Sequence, residues 1–297
     1  MSGATPAIPN MIRLIALDVD GTLLDSRWQV PEANRVAIEQ AIARGIEVAL
    51  VTGRRFEFAR PVIAALPEPL TLIVNNGALV KSRQGRTLVS RLLPSDVARQ
   101  VLEATHPFRD TAAVVFDRVR EGQVVVERIA WEGRRSRSYA LRDREFVSEV
   151  APLEACLVED PIQVMFNGPV ALMRELLGTL RGLPIVDRFA ISVTEYESRD
   201  FAMVDIVRAG CSKGAALVAW TARQGLTRDE IMAVGDNLND REMLEFAGCP
   251  VVMGNAVPEL KAAGWPVTHT NDEAGVAAAI EMFALVPNQR PPTPTND

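Results

Sequence analysis

Short apolar runs alternate with segments of helical period at both ends of the chain, and this alternation restricts the fold more than any other sequence feature. In the N-terminal part, predicted strands at residues 12–19, 47–51 and 70–74 alternate with predicted helices at 31–44 and 56–66. Strand, helix and strand in repeated order are typical of a parallel sheet with helices packed on its faces. The sequence therefore predicts an α/β core with a doubly wound parallel sheet.

The same alternation returns near the C-terminus. Strands are predicted at 230–234, 250–253 and 266–268, and helices at 212–224, 240–247, 257–263 and 273–285. Because both ends of the chain have this pattern, we expect one discontinuous Rossmann-like core made of residues 11–84 and 190–286.

The middle of the chain has a different pattern. Predicted strands at 112–116 and 123–129 are joined by a short link, which indicates a hairpin and antiparallel pairing. Further strands are predicted at 162–166 and 189–194, and helices at 95–104 and 169–180. We therefore expect an α+β unit inserted at residues 85–189. It contains an arginine-rich stretch, which is either a solvated helix face or a patch that steers anionic substrates: Arg134, Arg135, Arg137, Arg142 and Arg144.

Composition and charge exclude several classes of protein. The chain has 297 residues, 48% of them hydrophobic, and a formal net charge of -6. A mildly acidic chain gives no reason to expect nucleic acid or an anionic membrane as a partner. No apolar run reaches the roughly 18 residues of a membrane-spanning helix. Residues 1–10 lack the basic and apolar regions of a secretory signal.

The cysteines indicate a reducing compartment. Cys156, Cys211 and Cys249 are odd in number, far apart and never spaced as a CxxC pair. A disulfide framework or a zinc site is therefore not expected. We expect a cytoplasmic protein, by default a monomer or a weak homodimer, with disordered termini at residues 1–10 and 287–297.

Two carboxylates stand at the end of the first predicted strand. Asp18 and Asp20 are followed directly by Gly21, which allows the chain to turn. Ligands of open α/β sheets bind beyond the carboxyl ends of the strands, and two like charges at the edge of a core repel each other. A bound divalent cation would remove this repulsion. The alternative is that one aspartate caps a turn while the other is solvated.

Polar residues also follow the second predicted strand and open a later helix. Thr52 and Gly53 follow the strand at 47–51, where a hydroxyl and a backbone N–H can face a phosphoryl oxygen. Threonine before glycine is also ordinary turn chemistry. Lys213 opens a predicted helix, where the helix dipole disfavours a cation. A bound phosphate would compensate for this placement, and a solvated lysine is the alternative.

An acidic loop follows the predicted strand at 230–234. Residues 235–240 read Gly-Asp-Asn-Leu-Asn-Asp, and carboxylate and amide oxygens suit a hard cation such as Mg²⁺. The alternative is an Asx-rich turn that caps the next helix. The four pieces in this order are more specific together than any one of them alone.

Together these motifs resemble those of the haloacid dehalogenase-type phosphohydrolase superfamily. The resemblance is carried by the run from Asp18 to Thr22, by Thr52 and Lys213, and by residues 235–240, and it extends over residues 12–285. The insertion between Thr52 and Lys213 resembles a cap domain in the C2 position. Asn-Asn-Gly-Ala at 75–78 and Gly-Cys-Ser-Lys-Gly at 210–214 resemble the Cof-type subfamily.

The resemblance implies a role for each motif residue. Asp18 is the nucleophile that forms a phosphoaspartate. Asp20 is the general acid and then the base, and its backbone carbonyl binds Mg²⁺. The remaining roles fall into groups: Asp236 joins Asp18 and Asp20 as a metal ligand, Thr52, Gly53, Lys213 and Asn239 bind the substrate phosphate, and Asp240 supports the loop. Near the hinge, Asn76 and Gly77 are candidate substrate contacts, with a purely structural turn as the alternative.

Three functions are compatible with these motifs. The first is a Mg²⁺-dependent phosphomonoester hydrolase for small phosphorylated metabolites, with sugar phosphates foremost. The second is a phosphotransferase or phosphomutase, which would pass the same aspartyl phosphate to a sugar instead of water. The third is a binding protein without catalysis. Such a protein is expected to have lost Asp18, Asp20 or Asp236, and all three are present.

Overall fold

The computed structural model describes residues 11–128 and 144–285. Its contacts define two compact units. The first unit includes residues 11–51, 57–72 and 217–285, and the second includes 52–56, 73–128 and 144–216. The predicted disordered termini lie outside the described residues, as does the arginine-rich stretch up to Arg142.

The described residues form the following strands and helices, given in chain order. The strands are β1 (Leu14–Leu17), β2 (Glu47–Val51), β3 (Thr71–Val74), β4 (Leu79–Ser82), β5 (Thr87–Ser90), β6 (Ala112–Val115), β7 (Val124–Val126), β8 (Val147–Glu149), β9 (Gln163–Gly168), β10 (Phe189–Tyr196), β11 (Phe201–Arg208), β12 (Ile231–Gly235) and β13 (Cys249–Val252). The helices are α1 (Glu32–Ala43), α2 (Phe56–Ala64), α3 (Ser95–Ala104), α4 (Val170–Arg181), α5 (Lys213–Arg223), α6 (Arg241–Phe246), α7 (Pro258–Lys261) and α8 (Gly275–Phe283).

Parallel strands form the sheet of the first unit. β1 lies between β12 and β2 and is parallel to both, and β13 extends the sheet beyond β12. Every residue of β1 is buried, as expected for a parallel strand that is covered on both faces. The carboxyl ends of β1 and β12 therefore meet at one edge of this sheet.

Asn34 joins α1 to the rest of the first unit. Its Nδ2 donates to the Leu23 carbonyl at 3.1 Å, and its Oδ1 accepts from the Ala277 N–H of α8 at 2.9 Å. Both bonds are buried, so they link α1, α8 and the turn after β1 without leaving a polar group unsatisfied.

The second unit is an α+β structure. Its six-stranded sheet has the order β10-β11-β9-β6-β7-β8, and β6 and β7 form the predicted antiparallel pair. One face of this sheet packs on α3 and α4, through a core that includes Val101, Leu176 and Val204. A separate antiparallel pair joins β4 to β5. The predicted fold class, a parallel α/β core with an inserted α+β unit, is confirmed.

Several details differ from the sequence expectations, and four strands were not predicted: β4, β5, β8 and β11. The inserted unit was expected to end at residue 189, but the sheet continues to Arg208 because β10 and β11 pair antiparallel with each other and β11 pairs with β9. The division into domains otherwise stays a prediction. The strand expected at 266–268 is wrong, since only Val267 forms an isolated bridge, to Val252.

The helices of the described residues are all short or interrupted by polar residues. Within residues 11–128 and 144–285, none has the length and apolar character that crossing a membrane would require.

Candidate active site

A buried carboxylate stands at the tip of β1. Asp18 is 3% exposed, and its backbone N–H donates to the Val234 carbonyl of β12 at 3.1 Å. This bond continues the pairing of β1 with β12 by one residue. Asp18 is therefore held beside the end of β12, from which Asp236 follows.

The carboxylates of Asp18, Asp236 and Asp240 form one group. One ligand oxygen from each lies within 4.8 Å of the others. Oδ1 of Asp236 accepts from the Thr22 hydroxyl at 3.0 Å. Oδ2 of Asp240 accepts from the backbone N–H groups of Asp236 and Asn237, both at 3.0 Å. Asp240 thus shapes the loop that presents Asp236.

The residues of this group fit a divalent cation. Its donors are carboxylate oxygens, which hard cations such as Mg²⁺ prefer, and three carboxylates this close repel one another unless positive charge is bound. Gly21 keeps the space beside Asp236 open. It has a positive φ of 81°, and a Cβ at this position would lie 2.3 Å from Oδ2 of Asp236.

Asp20 and Asn239 lie close to this group in the chain. Among the described residues, the third carboxylate of the group is Asp240 and not Asp20. Asp20 lies in the turn after β1, with an extended backbone (φ -83°, ψ 116°), and is partly buried. Asn239 is half-buried in the turn Leu238–Asp240. The roles of both residues stay predictions.

Two asparagines that the sequence motifs do not include hold the turn after β1. Nδ2 of Asn255 donates to the Gly21 carbonyl at 2.8 Å, and its Oδ1 accepts from the Asn271 N–H at 2.9 Å. Nδ2 of Asn271 donates in turn to the Leu24 carbonyl at 2.8 Å. Both asparagines are more than 200 residues from the turn in sequence, so no local pattern marks them.

The second unit contains three of the four residues predicted to bind phosphate, Thr52, Gly53 and Lys213, while Asn239 lies in the first unit. Thr52 is 1% exposed, and its N–H donates to the Ile73 carbonyl at 2.9 Å. Its Oγ1 accepts from the Arg54 N–H at 3.1 Å. Because this oxygen acts as an acceptor within the protein, the hydroxyl hydrogen can be donated to a phosphoryl oxygen.

The turn Asn75–Gly77 lies against this threonine. All three residues have positive φ, 51°, 51° and 93°, a conformation that asparagine and glycine tolerate best. The Asn76 N–H donates to the Thr52 carbonyl at 3.1 Å. A Cβ on Gly77 would lie 2.2 Å from the Ser212 carbonyl, so the turn also adjoins the residue before Lys213.

Lys213 is buried at the start of α5. Only 2% of it is exposed, so the alternative of a solvated lysine is wrong. A buried ammonium group requires compensating partners. Thr52, Gly53, Asn76, Gly77 and Lys213 are thus brought around one turn of the second unit, and their roles toward a substrate stay predictions.

Comparison with known proteins identifies relatives over most of the chain. Residues 15–280 match the family model for haloacid dehalogenase-like hydrolases. An HMP-PP phosphatase of Serratia proteamaculans is 33% identical over 251 residues, which cover 84% of this chain and 87% of that protein. A 5-amino-6-(5-phospho-D-ribitylamino)uracil phosphatase of Bacillus subtilis is 29% identical, covering 92% of this chain and 96% of that protein.

A solved structure has the same fold. The phosphatase BT1666 of Bacteroides thetaiotaomicron, a member of the same superfamily, superimposes with a TM-score of 0.75 at 26% identity. The alignment covers 96% of this chain and all of that one, 100%.

Proposed function

The chain belongs to the haloacid dehalogenase-like hydrolase family and is a phosphatase, and from this premise we propose that it hydrolyses small phosphate monoesters through a phosphoaspartate on Asp18. The observation that carries the proposal is the group of Asp18, Asp236 and Asp240, whose ligand oxygens lie within 4.8 Å of one another at the end of a parallel sheet. A buried carboxylate in such a group is a suitable nucleophile once its charge is balanced.

Two residues carry the covalent steps. An Asp18 oxygen attacks phosphorus while the bond from phosphorus to the leaving oxygen breaks, and Asp20 donates a proton to that oxygen. A water molecule then attacks the same phosphorus, Asp20 takes its proton, and the bond to Asp18 breaks with release of inorganic phosphate. Asp20 alternates between acid and base, so both residues return to their starting states.

Thr52, Gly53 and Lys213 hold the phosphoryl group in this proposal. The transition state spreads negative charge over the equatorial oxygens, so preorganised donors accelerate the reaction mainly through charge stabilisation. The hydroxyl of Thr52 and the N–H of Gly53 are neutral donors. Lys213, fixed and buried at the start of a helix, contributes a full positive charge.

Asp18, Asp236 and the backbone carbonyl of Asp20 would hold a Mg²⁺ ion, with Asp240 supporting the loop. Bound there, Mg²⁺ would neutralise the charge of the carboxylates and of the incoming phosphate. The hydrogen bond from Thr22 fixes one oxygen of Asp236, and the other oxygen, Oδ2, lies beside Gly21.

The proposed substrates are small phosphorylated metabolites, with sugar phosphates first. The two relatives are phosphatases whose names specify small phosphorylated compounds, which supports this class.

We place the enzyme in the cytoplasm as a monomer or weak homodimer with no nucleic-acid partner. Its three cysteines are buried, and burial raises the pKa of Cys156 and Cys249 to about 11.

The test is release of inorganic phosphate by the purified protein with Mg²⁺ from a panel of phosphorylated metabolites. Asp18→Asn is expected to abolish release, while Asp187→Asn, the same change at an exposed position, is expected to leave it unchanged. An Asp18→Asn protein that keeps more than about a few per cent of the turnover would contradict the proposal. Phosphate release only when an acceptor sugar is added would favour a phosphotransferase.

A further inference from the structure

A chain of buried hydrogen bonds in the second unit joins Asn75 to Asn76 through two distant residues. Nδ2 of Asn75 donates to Oε1 of Gln163 at 3.1 Å, and Nε2 of Gln163 donates to Oδ1 of Asp205 at 2.8 Å. Nδ2 of Asn76 donates to Oδ2 of Asp205 at 2.9 Å. None of the four residues is more than 7% exposed, so water does not compete for these bonds.

The carboxylate of Asp205 sets the orientation of all three amides. An ionised carboxylate can only accept, so Gln163 and Asn76 must both present their NH₂ groups to it. Gln163 then presents its carbonyl oxygen to Asn75, which must donate. As a result, Oδ1 of Asn75 and Oδ1 of Asn76 are buried without a hydrogen-bond partner among the described residues. Unsatisfied buried acceptors are unfavourable, so the ionised Asp205 is what maintains this arrangement.

Asn76 transmits this orientation to the predicted phosphate-binding residues. Its backbone N–H donates to the Thr52 carbonyl at 3.1 Å. Its side-chain amide lies against Gly53, where a Cβ would be 3.0 Å from Oδ1 and 3.3 Å from Nδ2 of Asn76. The backbone and the side chain of one residue therefore both contact the Thr52–Gly53 segment.

We propose that Asp205 is a positioning residue: its carboxylate holds the Asn76 amide with Oδ1 against Gly53 and so fixes the segment that binds the substrate phosphate. This inference rests on the function proposed above, in which Thr52 and Gly53 hold the phosphoryl group. Asp205 acts through Asn76 and does not contact the substrate.

Protonation of Asp205 gives the chain of amides a second arrangement. Burial raises the pKa of Asp205 to about 7, against the opposing effect of the Asn76 hydrogen bond. The protonated carboxyl has an O–H, which can donate to Oδ1 of Asn76 once that amide has rotated. Nδ2 of Asn76 then faces Gly53 in place of Oδ1, so a donor replaces an acceptor beside the Thr52–Gly53 segment.

Within the described parts of the chain, β9, β10, β11 and the turn Asn75–Gly77 place no charged side chain on the face of Asp205. β9 and the turn Asn75–Gly77 have no ionisable residue. β10 and β11 have three ionisable residues besides Asp205, namely Glu195, Tyr196 and Arg208. Arg208 is three residues from Asp205 along β11, so its side chain lies on the opposite face of the sheet. Glu195 pairs with Ala202, which is also three residues from Asp205, so Glu195 lies on that opposite face too. Tyr196 pairs with Phe201, which lies on the face of Asp205 but four residues from it along β11. Burial therefore dominates the ionisation of Asp205.

The experiment compares kcat/KM of the wild type and Asp205→Asn with p-nitrophenyl phosphate and Mg²⁺, at pH values from about 5.5 to 8.5. Dividing kcat/KM of the wild type by kcat/KM of Asp205→Asn cancels the titration of the other residues, which both proteins share. We expect a ratio near one at the acid end that rises to about tenfold at the alkaline end, with a midpoint near 7. Asp187→Asn is the control and should give a ratio that does not change with pH.

Asn76→Ala supplies the second arm. In this background, Asp205→Asn should change kcat/KM less than about twofold at every pH, because the link to Gly53 is gone. If Asp205→Asn does not fold, the ratio of wild type to Asn76→Ala should show the same step near 7. A general structural effect of Asp205 would instead persist in both backgrounds.

The outcomes separate this inference from the proposed function. A wild type that releases phosphate, with a ratio that is flat across the pH range, overturns the role of Asp205 and leaves the phosphatase proposal intact. A tenfold effect that persists in Asn76→Ala also overturns it. A wild type that releases no phosphate from any ester overturns both.

Discussion

As the pH rises, the difference in stability between Asp205→Asn and the wild type is expected to shift in favour of the variant. The pKa of Asp205 is raised from 3.8 to about 7 in the folded protein, so the folded state binds the proton more tightly than the unfolded state. The stability that Asp205 contributes is therefore fully present below pH 3.8 and is lost as the pH rises through 7. Asparagine has no proton to lose, and its NH₂ group can donate to Oδ1 of Asn76 as the protonated carboxyl does.

The magnitude follows from the two pKa values. At about pH 5 the unfolded chain has already lost this proton, while the folded protein keeps it until about pH 7. Two pH units at 1.36 kcal/mol each give about 3 kcal/mol of stability that the wild type loses between about pH 5 and pH 8. For a protein of this size, that corresponds to about 6–12 °C in Tm.

The assay is urea or thermal unfolding of the wild type and Asp205→Asn at several pH values from about 5 to 8. Because the difference between the proteins is compared across pH, any constant effect of the substitution cancels. Asp187→Asn at an exposed position should show no such trend. A stability difference that stays constant over this range would refute a buried, titrating Asp205.

Three further outcomes are expected at the carboxylate group. Asp20→Asn should slow hydrolysis of alkyl phosphates by about 10²–10⁴-fold and that of nitrophenyl phosphates less, because only poor leaving groups need the acid; equal losses in kcat would argue against that role. Gly21→Ala should lose about 1–2 kcal/mol from its positive φ and also weaken Mg²⁺ binding by displacing Asp236. Gly45→Ala, at φ 80° with no atom within 4 Å of the added carbon, should lose stability alone, and unchanged Mg²⁺ affinity in Gly21→Ala by calorimetry would contradict the clash. Removal of divalent cations with a chelator should abolish phosphate release until Mg²⁺ is returned, and full turnover in the chelator would show that no cation is required.

The carboxylate group was predictable because two local patterns are sufficient to bring it together. Asp18 follows one apolar strand and Asp236 follows another, and parallel strands place their carboxyl ends at the same edge of a sheet. The geometry of Gly21 could also be anticipated from its position after Asp20. The membership of Asp240 could not, because it depends on how the loop after β12 folds back to accept two N–H groups.

β11 shows a different limit. No strand was predicted at residues 201–208, yet these residues form β11 and pair with both β9 and β10. Strand pairing selects a partner across the sheet, and this long-range choice places Asp205 beside Gln163. A local pattern of alternating residues does not predict which distant strand will pair with β11.

By itself, the sequence determined the α/β core, the inserted α+β unit and the motif residues, because hydrophobic period and strand-end chemistry are local properties of the chain. Only the tertiary structure decided that Asp205 would bond to Asn76, 129 residues away, and that Lys213 would be buried. The physical reason is that burial and hydrogen bonding between distant segments arise when the chain packs, and the ionisation of a buried carboxyl depends on that packing.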